Sequence, residues 1–456
     1  MLPYQGVPLA ESTVYAAVVT VRVHDQWGRA LGVAPALQTL IRGGTPAGLS
    51  PSARVEIRDA VDVLTKLSLV EDLAAIAVFR TGAPLSGMEA VRQALLSETP
   101  KPNAPWVAVE TFPKFCVYET TIDMPQYQSG EPPYERTGGT WVFDRAGLPV
   151  RQSYERAGVI VTLPRAPMPA GGFPTVVFSR TGTGSNRDNI RQSAAELMLT
   201  ARLLETLTVD AQGCGWLEGS KVRFDTSRLA LFAHSMGATI APLALAFEPR
   251  YKAAILSGSG GSWINNLLYK QKPLPVRHIT EFMLGYTARL YPVTAGDPGV
   301  SLMQWSAEAA DPSLYGGRMN THVLMFQGIV DHYILPPMAN ASSLSMRLDL
   351  AGDELDAASP ELKEFAAFRD VAAFSGRSVV PYPVAGNLER AGGSPLTGAV
   401  VQRLGDGLLD GHEIVFQTAG PKYQYRCFLA TFARGIPRVT QPRDSTDVCS
   451  SAPSLR

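Results

Sequence analysis

The chain has 456 residues, 45% of them hydrophobic and 18% charged, with 41 Lys plus Arg against 41 Asp plus Glu. That balance, without a basic run, argues against a nucleic-acid partner. No apolar stretch reaches the ~18–20 residues of a membrane-spanning helix, and the length suits one large core or two domains.

The N-terminus, MLPYQGVPLAESTVYAAVV, lacks the basic start and long apolar block of a signal peptide, so it reads as the beginning of a mature chain. STVYAAVVTVRVHDQWGRAL alternates like one or two strands joined by a glycine turn. SARVEIRDAVDVLTKLSLV is helix-like, with apolar residues at Val55, Ile57, Val61, Val63, Leu64 and Leu67. DLAAIAVFRTG predicts a short buried strand, and SGMEAVRQALLSE an amphipathic helix capped by Ser86. TPKPNAP, Thr99–Pro105, predicts a linker. These segments together predict a small α+β module over 1–105, with no evident active site, and a second domain over 106–456.

In the second domain FCVYETTIDMP, GGTWVFD and AGVIVTLPRAP read as strands. GGFPTVVFSRTGTGSNRDN is a strand entering a Gly/Thr/Ser loop, and AAELMLTARLLETL is a helix. RLALFAHSMGATIAPLALAF is strand, turn and helix, and YKAAILSGSGG a strand with a Gly/Ser loop. HVLMFQGIVDHYILPP is a strand ending at Asp331, followed by the helix PMANASSLSMRLDLAG. GAVVQRLGDGLLDGHEIVFQ holds a last strand and then His412, and QYRCFLATFARG closes the chain as a helix. Apolar strands alternating with helices predict an α/β fold, a mostly parallel sheet covered on both faces. The segment between Ser257 and His322 far exceeds a usual connection and carries Trp263, Leu267, Tyr269, Phe282 and Met283, so a cap is expected at about 262–318. A second insertion, about 351–395, contains PELKEFAAFRDVAAF, a predicted helix that is a further candidate border of the site.

The turn Ala233-His234-Ser235-Met236-Gly237 sits between an apolar strand and a small-residue helix. Such a turn strains the serine and lifts its Oγ clear of the sheet, and small residues at both ends let strand and helix approach. The pattern alone is weak, and a serine there could simply cap the helix; the flanking strand and helix are what favour a nucleophile. A nucleophilic serine needs a base and an orienting acid, which in this arrangement follow it in the order acid, then histidine. Beyond His278 lie only His322, His332 and His412. His322 begins a buried strand and reads as structural. His332 adjoins Asp331, and neighbours at a strand end diverge. His412, in a glycine-flanked loop after the last strand, is the expected base. Asp331 is the expected acid, ahead of Asp406 and Asp410, because its own strand brings it in from a separate side; capping the helix near Pro336 is its competing role. The Met236 N–H is the first expected oxyanion donor, and the loop VVFSRTGTGS offers Thr183, then Gly182, as the second. A phosphate loop is disfavoured: G-x-x-x-x-G-K-S/T is absent, and Gly182-Thr183-Gly184 lacks the third glycine of a dinucleotide fingerprint. Trp263 and Met236 are the expected substrate contacts, and no metal or organic cofactor is required.

Four cysteines, Cys116, Cys214, Cys427 and Cys449, form no CxxC pair. Cys427 and Cys449 flank a Pro/Ser-rich tail that a disulfide would pin, and the sequence leaves the connectivity open. Bridges would place the chain in an oxidising compartment.

From Cys116 to Phe432 the chain resembles the α/β-hydrolase superfamily, through the TGTG loop, the AHSMG elbow, Asp331 after its strand and His412 near the end. Thr181 stands where the oxyanion loop of many esterases and lipases carries histidine. The N-terminal module followed by FPTVVF and the GTG loop resembles large extracytoplasmic bacterial lipases with an accessory N-terminal domain. These resemblances imply a secreted or periplasmic serine hydrolase of carboxylic esters. Its substrate would be a small-molecule, lipid or polymer ester, and its oligomeric state stays open. A peptidase or amidase on the same fold, or a non-catalytic binding protein built on it, are the alternatives.

Overall fold

Two apolar stretches, Val14–Thr20 (β1) and Leu73–Arg80 (β2), pair antiparallel with Val14 opposite Arg80. The computed structural model describes residues 3–132, 134, 137–180, 187–286, 292–389, 393–444 and 446–449. Within it, β1 and β2 belong to a compact unit over Leu9–Pro84, while Tyr4–Pro8 and the chain from Leu85 onward form a second. In the first unit, the helix Pro51–Lys66 starts on Ser50, whose hydroxyl accepts the Ala53 N–H at 3.2 Å, with proline in the first turn. Leu37, Leu64 and Leu73 form its small core. The expected turn-and-strand continuation after β1 is reduced to one bridge between His24 and Ala30.

The larger unit begins earlier than residue 106. Met88, Val91 and Leu95 of helix Ser86–Leu95 share its core with Ile190, Ala194 and Met198 of helix Arg187–Thr206, so this helix belongs with the second unit. Leu85, not Ser86, occupies the cap position. Strands Val107–Thr111 (β3), Phe115–Gln126 (β4) and Ser153–Pro164 (β5) form an antiparallel sheet, with Phe115 opposite Pro164. The expected strand GGTWVFD contributes only isolated bridges, Gln128 to Trp141 and Phe143 to Pro149.

Next come Phe173–Ser179 (β6), the two-stranded ribbon Val209–Asp210 (β7) and Lys221–Val222 (β8), Phe224–His234 (β9) and Tyr251–Ser257 (β10). His322–Ile329 (β11), Asp349–Ala351 (β12), Val379–Val380 (β13) and Gly398–Leu404 (β14) complete the strands. Seven of these form one sheet in the order β13-β12-β14-β11-β10-β9-β6, every pair parallel.

The central strands are buried on both faces, and their period-2 geometry sorts alternate residues into two cores. Leu229, Leu231, Leu256 and Met325 enter one core; Ala230, Phe232, Ile255 and Phe326 enter the other. This is an α/β-hydrolase fold. Its second insertion departs from expectation. PELKEFAAFRDVAAF breaks into short turns at Pro360–Leu362 and Ala373–Ser375 around a helix Phe368–Ala372, and β13 extends the sheet edge.

Two disulfides join Cys116 to Cys214 and Cys427 to Cys449. Among the described residues, no helix is long and apolar enough to cross a membrane.

Candidate active site

Three strands of the sheet, β9, β11 and β14, with β10 lying between the first two, deliver three polar side chains to their carboxyl ends, the edge where parallel sheets place their sites. Ser235 follows β9 directly, with φ 57° and ψ −124°, a left-handed conformation that costs a non-glycine residue about 1–3 kcal/mol. The turn is fixed at both ends: the Ser235 N–H donates to the Ser257 carbonyl at 2.9 Å, and its carbonyl accepts the Thr239 N–H at 3.1 Å. Gly237 is needed for close approach, since a Cβ there would lie 2.5 Å from the Ser179 carbonyl oxygen of β6. Ala233, at the other end of the turn, is fully buried.

His412 reaches the serine from the loop after β14. Its Nε2 lies 2.8 Å from Ser235 Oγ and its Nδ1 2.8 Å from Asp331 Oδ2. Both His412 and Asp331 are buried. Oδ1 of Asp331 accepts the Tyr333 and Ile334 N–H groups at 2.8 Å each, so the carboxylate is held by the chain on one oxygen and faces the imidazole with the other. Asp331 does not cap the helix Pro336–Ser345, whose cap position is Leu335; its Oδ1 instead closes the turn that precedes that helix.

Asp410 and Asp406 are engaged elsewhere. Asp410 bonds His332 Nδ1 and Lys272 Nζ, each at 2.9 Å, and accepts the His412 backbone N–H at 3.1 Å. Burial would raise its pKa, but these partners hold it below the usual carboxylate value. Asp406 accepts the N–H groups of Leu408 and Leu409 in its own turn. His322 Nδ1 accepts the Thr397 N–H at 2.9 Å, tying β11 to the start of β14, and burial pushes its pKa down to about 4.

Several contacts of His412 had no sequence signal. Tyr333 stacks on its ring at 4.6 Å, and His234 lies at 4.9 Å on a tilted plane. Burial, and then the neighbouring His412, push His234 down to about 4, so this imidazole is neutral at physiological pH. Gly258, after β10, has φ 60°, and a Cβ on it would sit 2.5 Å from His412 Cε1. The backbone of β10 thus forms a wall against the imidazole, a relation set by strand order rather than by local pattern.

Ser235 and His412 open into a cavity of about 250 Å³ whose walls include Met236, Trp263, Lys270, Tyr333 and Ile334. Trp263 starts the helix Trp263–Tyr269 in the segment between β10 and β11, and its indole N–H donates to the Ala307 carbonyl at 3.0 Å, fixing the ring. The rest of that segment includes helices Val276–Met283 and Pro298–Ala307 and three short turns ending at Arg318. No residue of 351–395 lines the cavity among the described residues. Met236 opens the helix Met236–Leu245, so its N–H is one of the donors a helix start leaves without an intrahelical acceptor. Thr183 and Gly182 lie outside the described residues. Among the described residues, no cluster of His, Cys, Asp and Glu is arranged to hold a metal ion.

Neither family models nor curated proteins give a match to this chain. Solved structures similar to it include an acetyl xylan esterase from a Paenibacillus species, 13% identical over 65% of this chain and 86% of that one, TM-score 0.32. A glucuronoyl esterase from Teredinibacter turnerae is 14% identical over 77% of this chain and 86% of that one, TM-score 0.31. An acylaminoacyl peptidase from Pyrococcus horikoshii is 12% identical over 76% of this chain and 44% of that one, TM-score 0.31. These are weak likenesses, and the function has to be read from the site itself.

Proposed function

We propose that the protein is a serine hydrolase of carboxylic esters, working through Ser235, His412 and Asp331. The observation that carries this is the unbroken chain from Ser235 Oγ through the His412 ring to Asp331, with both links at 2.8 Å and the serine on a cavity wall. His412 Nε2 takes the hydroxyl proton as Ser235 Oγ bonds to the ester carbonyl carbon, and Asp331 stabilises the imidazolium through Nδ1–H. The Met236 N–H stabilises the oxyanion, with Thr183 or Gly182 as the second donor. Collapse breaks the bond to the alcohol oxygen, which leaves with the His412 proton. Water, deprotonated by His412, then splits the acyl-enzyme and returns Ser235 as a free hydroxyl. The apolar ring and aliphatic walls at Trp263, Tyr333 and Ile334 favour an ester with a small apolar portion.

Two disulfides fit a secreted or periplasmic setting, with the N-terminal unit as an accessory module. The same chemistry would serve a peptidase or amidase. A fluorophosphonate probe should label the wild-type chain and fail to label Ser235→Ala. The variant should also lose about 10³-fold or more of ester turnover without unfolding. Turnover of p-nitrophenyl esters well above matched anilides is expected; wild-type turnover in Ser235→Ala would remove the proposal.

A further inference from the structure

Lys270 is the one lysine or arginine on the cavity wall among the described residues. It ends the helix Trp263–Tyr269, with its N–H on the Asn266 carbonyl and its carbonyl accepting the Val276 N–H, each at 3.2 Å. The backbone therefore holds it in place beside the cavity that also contains Ser235.

Its neighbour two residues on makes the contrast. Lys272 is half-exposed and ion-paired with Asp410 at 2.9 Å. Lys270 is partly buried, and its ammonium, which keeps contact with solvent, has neither an ion pair nor a hydrogen-bond acceptor among the described residues. Burial pushes its pKa below the ordinary lysine value, and Asp331 pulls it back in part. Asp331 acts on it only through space and forms no ion pair with it, one oxygen being bonded to His412 and the other to two backbone N–H groups. A partly buried cation with no ion-pair partner of its own favours a ligand that brings a negative charge to it.

The remaining walls narrow the ligand. Thr239 and Asn266 add neutral polar groups, while Trp263, Ile334 and Pro273 are apolar. No carboxylate side chain lines the cavity among the described residues to oppose an incoming anion.

We propose that this site selects small esters that carry a free carboxylate, which pairs with Lys270 while the ester carbonyl lies against Ser235. This rests on the hydrolase reading above and assigns its substrate class. The carboxylate can belong to the acid portion, as in a monoester of a short dicarboxylic acid, or to the alcohol portion, as in an acylated hydroxy acid.

The test uses the full chain and matched aryl esters. A monoaryl adipate carries the charge on the acid side, and 3-acetoxybenzoate carries it on the alcohol side; aryl hexanoate and phenyl acetate are their neutral counterparts. The wild-type protein should favour one charged ester over its neutral counterpart by about tenfold or more in kcat/KM, with the preference shrinking as salt rises. Which pair shows the preference tells which portion carries the charge. In Lys270→Met the charged-to-neutral ratio should fall to about one or below, and Lys270→Arg should keep part of it. Equal rates for both pairs in the wild type, or a ratio that survives Lys270→Met, would overturn the proposal. Because a variant can fail to fold, adipate and hexanoate are also compared as competitive inhibitors of the wild type: tighter inhibition by adipate is expected, and equal inhibition counts against the carboxylate site. If no ester is turned over, calorimetric binding of adipate to wild type but not to Lys270→Met would keep the carboxylate site while the hydrolase reading fell; no binding would remove both.

Discussion

At the scale of single residues, the site depends on side chains and on the absence of one. Gly258 presses its backbone against His412, leaving no room for a Cβ, which would sit 2.5 Å from Cε1. Gly258→Ala should therefore push the imidazole off its line between Ser235 and Asp331. A displacement of about 1 Å can cost about 10²-fold in turnover. We expect a loss of that order in kcat for an activated ester, with KM changed little and far-UV circular dichroism unchanged. Wild-type kcat in that variant would show that the imidazole is held by something other than the β10 backbone. Ser235, Asp331 and His412 could be picked out of the sequence because each follows a buried strand and the chain order leaves few candidates. Gly258, Tyr333 and Lys270 could not. Their positions depend on which strand lies beside which, and on a connection whose path no periodicity encodes.

At the scale of elements, strands read better than connections. β9, β10 and β11 announce themselves as apolar runs because both faces are buried, and the helices after β9 and β11 carry mostly small or apolar residues. PELKEFAAFRDVAAF has helical spacing but breaks into short turns, with Phe368 and Val371 docked in the larger core. Tertiary burial there outweighed local propensity. Of the two disulfides, Cys427 to Cys449 is the one the sequence suggested across its tail, while Cys116 to Cys214 carried no local signal. Cys116 on β4 is joined to Cys214, 98 residues away, just before the turn Gly215–Leu217. Cys427, on the closing helix Ala419–Phe432, is joined to Cys449, 22 residues on. Loop-closure entropy assigns about 4.7 kcal/mol to the long loop and about 3.4 kcal/mol to the short one. The double variant Cys116→Ser/Cys214→Ser should therefore lower the midpoint of urea unfolding more than Cys427→Ser/Cys449→Ser does. The reverse order would mean that packing around Cys427, rather than chain entropy, sets the cost.

At the scale of the whole molecule, the composition is electrically balanced and pI is about 7.0, so the response to pH is governed by a few buried groups more than by net charge. His234 and His322 are held at about 4 in the fold against an ordinary 6.5, chiefly by burial. As pH falls from 6.5 towards 4, the unfolded chain takes up protons at these imidazoles that the folded chain refuses, so stability is lost on the acid side. Glu196, on helix Arg187–Thr206, pulls the other way: burial raises its carboxyl from 4.5 to about 7. The folded chain keeps that proton where the unfolded chain has released it. The contribution of Glu196 is therefore fully present below 4.5 and lost as pH rises through 7. Gln192 already donates to Glu196 Oε1 at 3.2 Å, so a glutamine at 196 can accept the same bond without ever ionising. Glu196→Gln should be close to neutral in melting temperature near pH 5, and increasingly stabilising relative to wild type up to about pH 8. The comparison cancels the histidines, which both chains share, and leaves the carboxyl alone. A difference in melting temperature that stays constant across that range would mean that Glu196 ionises in the fold at its ordinary pKa and that its burial costs the molecule nothing.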